Sequence, residues 1–476
     1  MPLRRMTPEK TRVLDRVSGN TADRKPPGPR GYPFLSVLPR IWKDPLKFFV
    51  DMARDHGEVA LLGFGKWRFY LVSGPEPIKT ILQDNHRAFW KGSGMDSARP
   101  VMGNGLATSD GDFWRSQRRV LQPEFNLPRV QSYIPSMVVE IERMLGRWSK
   151  LAAGNEPIDM AREMNHLSQR LIFGTLFGID IGDRPAQVHD AVTEAMSYIQ
   201  ARAWGLWKVP EKWPTPRNRR FRRANALLDG LMYDAIRACR AQSGNGRDPG
   251  STMPGNAVVA ALVNARSESG EPMSDRQIRD ELMTIFVAGH DTTGAALAWT
   301  WYLLSKNPQA SARLRMEADT VLGERAPTAE DISKLEYSRM VIEESMRLYP
   351  PGWILVRTPR EDVVVGGYRI PRDAPILLSP YVTHRLPELW ENPEAFRPER
   401  FSPSESAGRP RFAFFPYGGG PRVCLGNVLS MVEMQLVLAS VSRHFRPRLE
   451  PDQAVRPTPS ITLRPSAPLR MHLERL

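Results

Sequence analysis

Apolar and polar residues alternate along most of this chain with the helical period of about 3.6 residues. From Gly111 to Leu348 apolar positions recur three and four apart, with two interruptions. Trp204–Arg217 carries Trp204, Trp207 and Trp213 among prolines and reads as an aromatic loop facing something apolar. Gln242–Asn256 is polar and rich in Gly and Pro, a composition that predicts disorder. The longest predicted helix starts at Ser274, where Ser274 and Gln277 have capping-box spacing, and Asn307-Pro308 stops it after Lys306. Its ~33 residues cover about 50 Å, enough to cross a whole domain.

Shorter elements flank this region. A helix is predicted at Pro45–His56, a hairpin from Glu58–Leu62 and Arg68–Val72 around Gly63-Phe64-Gly65-Lys66, and a helix at Glu76–Asp84. Phe89–Leu106 is glycine-rich and irregular, the composition of a loop bordering a cavity. Strand patterns return at Asp362–Ile370 and Ala374–Leu378, followed by a proline-punctuated irregular stretch, His384–Tyr417. After Gly426 a last helix is predicted, with Leu429, Val432, Leu436 and Ala439 on one face. The expected fold is mainly α with small β-sheets. Residues 1–25 read as a mobile polar tail and Pro26-Pro27-Gly28-Pro29-Arg30-Gly31 as a stiff entry. Residues 26–476 are expected to form one domain, because no linker divides them and no internal repeat recurs.

Composition narrows the classes. With 41% hydrophobic and 25% charged residues, the 476-residue chain can bury a large core. Two cysteines, Cys239 and Cys424, leave no room for a disulfide framework or a cysteine-built zinc site, and they suit a reducing cytosol. The net charge of +14 invites a nucleic-acid reading, but the arginines are scattered. Their densest cluster, Arg217–Arg223, is interrupted by Asn218 and Phe221 and lies in no nucleic-acid-binding motif. A basic face that docks an acidic electron carrier fits better. The longest apolar run, Leu282–Gly289, is too short to span a membrane, and the N-terminal tail lacks a signal-peptide core. A soluble, cytoplasmic protein is expected.

One stretch carries chemistry that patterning does not explain: Phe415-Pro416-Tyr417-Gly418-Gly419-Gly420-Pro421-Arg422-Val423-Cys424-Leu425-Gly426. A single cysteine sits in a loop almost stripped of side chains, where backbone N–H groups can turn onto the sulfur and favour a thiolate, the form a metal binds. The helix after Gly426 would bring its positive end to the same sulfur. By itself such a cysteine also reads as a small inert hydrophobe. In the long helix, Ala288-Gly289-His290-Asp291-Thr292-Thr293 sets an acid, two hydroxyls and a glycine among apolar neighbours. A threonine can bond back to the carbonyl four residues earlier and open the helix, and Gly289 admits a flat ligand. A polar kink satisfied internally is the other reading. Glu344 and Arg347 stand at i and i+3, followed by Leu348-Tyr349-Pro350-Pro351 and, further on, Arg397-Pro398-Glu399-Arg400-Phe401. Trp114 and Arg118, one turn apart, can both meet a carboxylate.

These four segments resemble, in order and spacing, the motifs of the cytochrome P-450 superfamily, and the likeness runs from Pro26 to the C-terminus. The resemblance implies that family's fold, with the long central helix over a haem and the cysteine loop on its proximal side. It implies haem b with Cys424 as axial iron ligand, and Trp114, Arg118, Arg357 and Arg422 on the propionates. A surface role is the alternative for Arg357. Thr292 would hold dioxygen by its hydroxyl while Asp291 links the site to solvent protons, and Glu344, Arg347 and Arg400 would form a structural network presenting Cys424. The pattern departs at Tyr417, where the family usually has Phe, and a phenol there needs a hydrogen-bond partner.

The implied reaction inserts one atom of O2 into a C–H or C=C bond of a lipophilic molecule: a terpenoid, fatty acid or polyketide of secondary metabolism. No Gly-x-Gly-x-x-Gly fingerprint follows a strand. Electrons are therefore expected from a ferredoxin or flavodoxin with its NAD(P)H reductase, docking over Cys424 on a basic face that includes Arg115, Arg119 and Arg409. Cavity walls are expected at Phe89–Leu106, Trp204–Trp213, Val287, Ala288, Trp353–Val356 and Ser460–Thr462, with plain packing as the alternative for Trp353. The alternatives are a peroxide-using or isomerising haem-thiolate enzyme, a non-catalytic haem-binding sensor, and a nucleic-acid binder. The Asp291–Thr292 pair argues against the first two.

Overall fold

Capping side chains and prolines set where the helices begin. In the computed structural model, which describes residues 24–29, 39–63, 68–179, 185–204, 209–243, 256–266 and 270–476, α1 (Pro45–His56) starts on Asp44, whose carboxylate accepts from the Lys47 N–H. α2 (Gly111–Leu121) is followed by α3 (Leu127–Ala153), capped by Asn126, and α4 (Met160–Ile172), capped by Asp159. α5 (Pro185–Trp204) packs on α6 (Pro216–Ser243), with Tyr198 stacked on Phe221 at 3.8 Å between ring centroids. Then come α7 (Asp275–Lys306), α8 (Pro308–Leu322), α9 (Glu336–Leu348) and α10 (Asn427–His444).

α7 is the axis of the molecule. Ser274 Oγ accepts from the Gln277 N–H, and the helix runs 32 residues to Lys306. The reciprocal half of the expected capping box is missing. The Gln277 amide instead donates to Glu281 at 2.8 Å and to the Asn104 carbonyl at 3.3 Å. Side chains are buried around most of its circumference, as a helix enclosed by others requires. α4, α9 and α10 all lie against it.

The β content exceeds the expectation. β1 (Val59–Leu62) and β2 (Phe69–Val72) form the predicted antiparallel pair. β3 (Phe89–Trp90) begins the stretch expected to be irregular, which also contains a short helix, Arg99–Met102. β4 (Ile158–Asp159) precedes α4. β5 (Leu355–Pro359), β6 (Val363–Val365), β7 (Tyr368–Ile370) and β8 (Ile376–Leu378) follow α9. β9 (Phe445–Leu449), β10 (Pro457–Pro459), β11 (Leu463–Pro465) and β12 (Arg470–Arg475) end the chain. The larger sheet has the order β1-β2-β8-β5-β3, with β2 and β8 parallel, and a second sheet has the order β4-β12-β9. β6–β7 and β10–β11 are separate hairpins. Most of the N-terminal tail, the 64–67 part of the first hairpin's turn, Trp207 and residues 244–255 of the polar segment lie outside the described residues.

Candidate active site

Glycine shapes the cysteine loop at two contacts. A Cβ on Gly420, whose φ is +64°, would collide with the Leu82 carbonyl, and one on Gly419 would collide with the Phe412 ring. The Cys424 N–H donates to the Tyr417 carbonyl at 2.9 Å and closes the turn. Cys424 is solvent-accessible yet deep in the fold, and that depth pushes its thiol pKa up. The Gly426 N–H and the Arg118 charge oppose the rise without cancelling it. Alone, the loop favours a thiol rather than the expected thiolate, and a bound metal's charge is what would deprotonate it. Tyr417 finds the partner its phenol needs in Ser430 Oγ, at 2.9 Å.

On α7, Thr292 Oγ1 donates to the Ala288 carbonyl at 2.7 Å, the back-bond its position predicts. Ala288 is exposed and Thr292 half-buried between buried Val287, Asp291 and Thr293, so one face of this turn borders open space. Asp291 Oδ2 accepts from Thr462 Oγ1 and from Arg464 Nη2, the latter at 3.1 Å. The Arg464 side chain is 33% exposed and carries the connection outward. Gly289 serves packing rather than a flat ligand: a Cβ there would meet Ile172 Cδ1 at 2.8 Å, so the glycine lets α4 close on α7.

A partly buried set of cations lies beside the loop. Arg118 Nη1 donates to the Val423 carbonyl at 2.9 Å, next to Cys424. Arg422 covers the Trp114 ring at 4.8 Å and pairs with Asp110. Arg357 is 8% exposed, which removes the surface reading; burial first and Arg422 second lower its pKa to about 10. Nothing in the pattern of residues singles out Lys91, whose Nζ donates to the carbonyls of Leu106 at 2.7 Å and Ser109 at 3.1 Å. Burial and then Arg422 push it down to about 7. Asp110 occupies the N-cap position of α2 but makes no cap bond; its carboxylate takes Arg422 and the Lys91 N–H instead. Among the described residues it is the only carboxylate bonded to Lys91, Arg118, Arg357 or Arg422. Buried cations in excess of anions need a counter-charge. A ligand with two carboxylates and a metal that takes sulfur fits this donor set.

Behind the loop, Glu344 and Arg347, both with 0% side-chain exposure, pair through two bonds of 2.7 and 2.8 Å. Arg400 Nε lies 3.3 Å from Glu344, and the Arg397 N–H donates to Glu344 at 2.9 Å. Arg347 also donates to the carbonyls of His384, Pro393 and Ala395. His384, which sequence reasoning missed, accepts the Phe415 N–H on Nε2 at 3.0 Å, where the cysteine loop begins.

One expected position is corrected, and at Trp353 the packing alternative holds. Arg409 is not free for docking: its guanidinium lies 4.4 Å from the Trp390 ring centroid and 4.9 Å from that of Phe401, and it donates to the Arg400 carbonyl. Arg115 and Arg119 are exposed on α2. Trp353 is a packing residue, 1% exposed, against Phe49, with its indole N–H on the Ser460 carbonyl at 2.8 Å. No helix among the described residues is long and apolar enough to cross a membrane.

Comparison with known proteins identifies the family. The family model for cytochrome P-450 matches residues 26–472. A cyclooctat-9-en-7-ol 5-monooxygenase from Streptomyces melanosporofaciens is 34% identical, over 91% of this chain and 90% of the relative. A pentalenene oxygenase from Streptomyces avermitilis is 30% identical, over 94% of this chain and 96% of the relative. A crystal structure of a cytochrome P-450 superposes with a TM-score of 0.82 at 22% identity, covering 96% of this chain and all of that one, which establishes the fold. The chain belongs to the cytochrome P-450 family, a haem-thiolate family, and is one of its monooxygenases.

Proposed function

We propose that residues 26–476 form one catalytic domain that binds haem b through Cys424 and hydroxylates or epoxidises a terpenoid. The observation that carries the cofactor reading is the donor set: one accessible cysteine beside Lys91, Arg118, Arg357 and Arg422, with Asp110 as the only carboxylate bonded to them among the described residues. Trp114, Arg118, Arg357 and Arg422 would hold the propionates, joined by Lys91. When bound, the haem supplies the activation of O2 and the transfer of one oxygen atom to a C–H or C=C bond.

The protein itself supplies positioning and protons. Thr292 keeps a proton at Oγ1 on the open face of α7, held ready by the Ala288 carbonyl. Asp291 carries protons between that face and solvent, with Arg464 at the outer end. Glu344, Arg347 and Arg400 brace the irregular 384–417 segment, and His384 passes that rigidity to Phe415. Electrons come from a separate carrier, a ferredoxin or flavodoxin with its NAD(P)H reductase, in the cytoplasm. Arg115 and Arg119 lie on the same helix as Arg118, which touches the cysteine loop, and they suit an acidic carrier.

The terpenoid assignment rests on the relatives whose names state cyclooctat-9-en-7-ol and pentalenene. The test is a titration of purified, haem-loaded protein with terpene hydrocarbons, terpene alcohols, fatty acids and polar or carrier-bound acids, read by the haem spin-state shift. Terpenoids should give the shift and then turn over with a surrogate ferredoxin. Shifts from polar or carrier-bound compounds alone would overturn the substrate class.

A further inference from the structure

We propose that Lys91 is a cofactor-binding residue with a second role, in which the ammonium that meets a haem carboxylate also pins residues 104–109 against α7, so that seating the haem orders that segment. The proposal rests on the haem reading of the cation cluster and adds a coupling to it.

Position is fixed first. Lys91 follows β3, which pairs with β5 in the register Phe89 to Pro359 and Trp90 to Thr358. That pairing brings Lys91 close to Arg357, and its charge feels Arg422, Asp110 and Arg357 on one side and Glu281 on the other. The backbone N–H of Lys91 donates to the Asp110 carboxylate at 3.2 and 3.3 Å, which ties the residue to the partner of Arg422. An ammonium has three donors. Two go to the Leu106 and Ser109 carbonyls, and the third has no partner among the described residues. A half-buried cation next to two others, with one N–H unspent, is suited to an incoming carboxylate.

The segment it holds has no slack. The Leu106 peptide is clamped from both sides: its carbonyl takes Lys91, and its N–H donates to Glu281 Oε2 on α7 at 2.8 Å. Two residues earlier the Asn104 N–H donates to Asp280 Oδ2 at 2.8 Å. A Cβ on Gly103 would collide with the Asp280 carboxylate, and one on Gly105 with Thr284 Oγ1, so the backbone lies flush on α7. Glu281 is fully buried, and α7 also carries Ala288 and Thr292 further along its length. Lys91 thus stands between the cofactor's carboxylates and the segment that closes over α7. Burial makes its charge costly without a counter-anion, and a carboxylate keeps it charged and donating. Coupling between two binding contacts is reciprocal. Whatever tightens Lys91 on the haem tightens 104–109, and loosening 104–109 must loosen the haem.

The test uses haem-loaded protein and two readouts other than turnover: haem transfer to apomyoglobin and amide hydrogen exchange of 104–109, with 308–322 of α8, which carries none of the cofactor residues, as control. Lys91→Met is expected to speed both haem loss and segment exchange by about tenfold, at the scale of ordinary coupling, while the control peptide is unchanged. Glu281→Gln, which replaces the charged acceptor of the Leu106 N–H on α7 by a weaker neutral one, is expected to speed segment exchange and also haem loss, by about fivefold or more. In the Lys91→Met background it should add nothing to haem loss. If Lys91→Met alters only one readout, or if the two substitutions act additively on haem loss, the coupling is wrong. Should Lys91→Met fail to load haem, Glu281→Gln decides alone, and unchanged haem release overturns the proposal. Wild-type protein without a thiolate-type carbon monoxide spectrum would instead sink the haem reading itself.

Discussion

Arg347 spends every N–H it has. Its five donors, on a side chain with 0% exposure, reach both Glu344 oxygens and the carbonyls of His384, Pro393 and Ala395. Arg347→Leu leaves the Glu344 carboxylate buried with its main partner gone, a loss of about 3–5 kcal/mol. Arg347→Lys should recover only part of it, since three donors in another geometry cannot replace five. The urea midpoint of unfolding measures both, and an unchanged midpoint for Arg347→Leu contradicts the bracing role. The Glu344–Arg347 pair was legible because i and i+3 on a helix is a local relation. The link from His384 to Phe415 was not, because it joins residues 31 apart in an irregular stretch with no periodicity to read. Lys91 was invisible for the same reason: what makes it unusual is its neighbours in space.

Among the elements, α10 departs furthest from its pattern. Leu429, Val432, Leu436 and Ala439 are buried as expected, but so is Glu433, at 4% exposure, an acid at i+4 from Leu429 and i−3 from Leu436, on the edge of the same apolar face. Its described hydrogen bond is from Ser168 Oγ of α4 at 2.8 Å, and burial raises its pKa to about 8. The folded state therefore keeps a proton on Glu433 that the unfolded chain, with an ordinary carboxyl, releases. That contribution is full below about pH 4.5 and is lost as pH rises towards 8. Relative to Glu433→Gln, wild-type protein should lose on the order of a few kcal/mol between about pH 5 and 8. Chemical unfolding of both proteins across that range checks it, and parallel pH profiles contradict it. α7 shows the complementary case. Its start, stop and central motif were readable from caps, proline and composition, whereas the purpose of Gly289 was not. Ile172, the residue that needs the space, comes from α4.

At the scale of the whole molecule, the long helices and the order of motifs were legible because helical periodicity extends over many residues. The C-terminal strands were missed because each is three to six residues long and rich in Arg and Pro. The net charge of +14 acts here as well. Arg115 and Arg119 are exposed on α2 while Arg118 of the same helix reaches the cysteine loop. Reversing both to Glu is expected to slow reduction by an acidic carrier about tenfold at low salt, with the gap closing as salt screens the charges. Stopped-flow reduction at two ionic strengths measures it, and equal rates contradict docking on this helix. The docking and cofactor readings depend on Cys424 holding the iron. The most direct measurement is the carbon monoxide spectrum of the reduced protein, wild type against Cys424→Ala and Cys424→His. Wild type should give the thiolate-type band and both variants should lose it; a thiolate-type band that survives either substitution contradicts the assignment of Cys424 as the haem ligand.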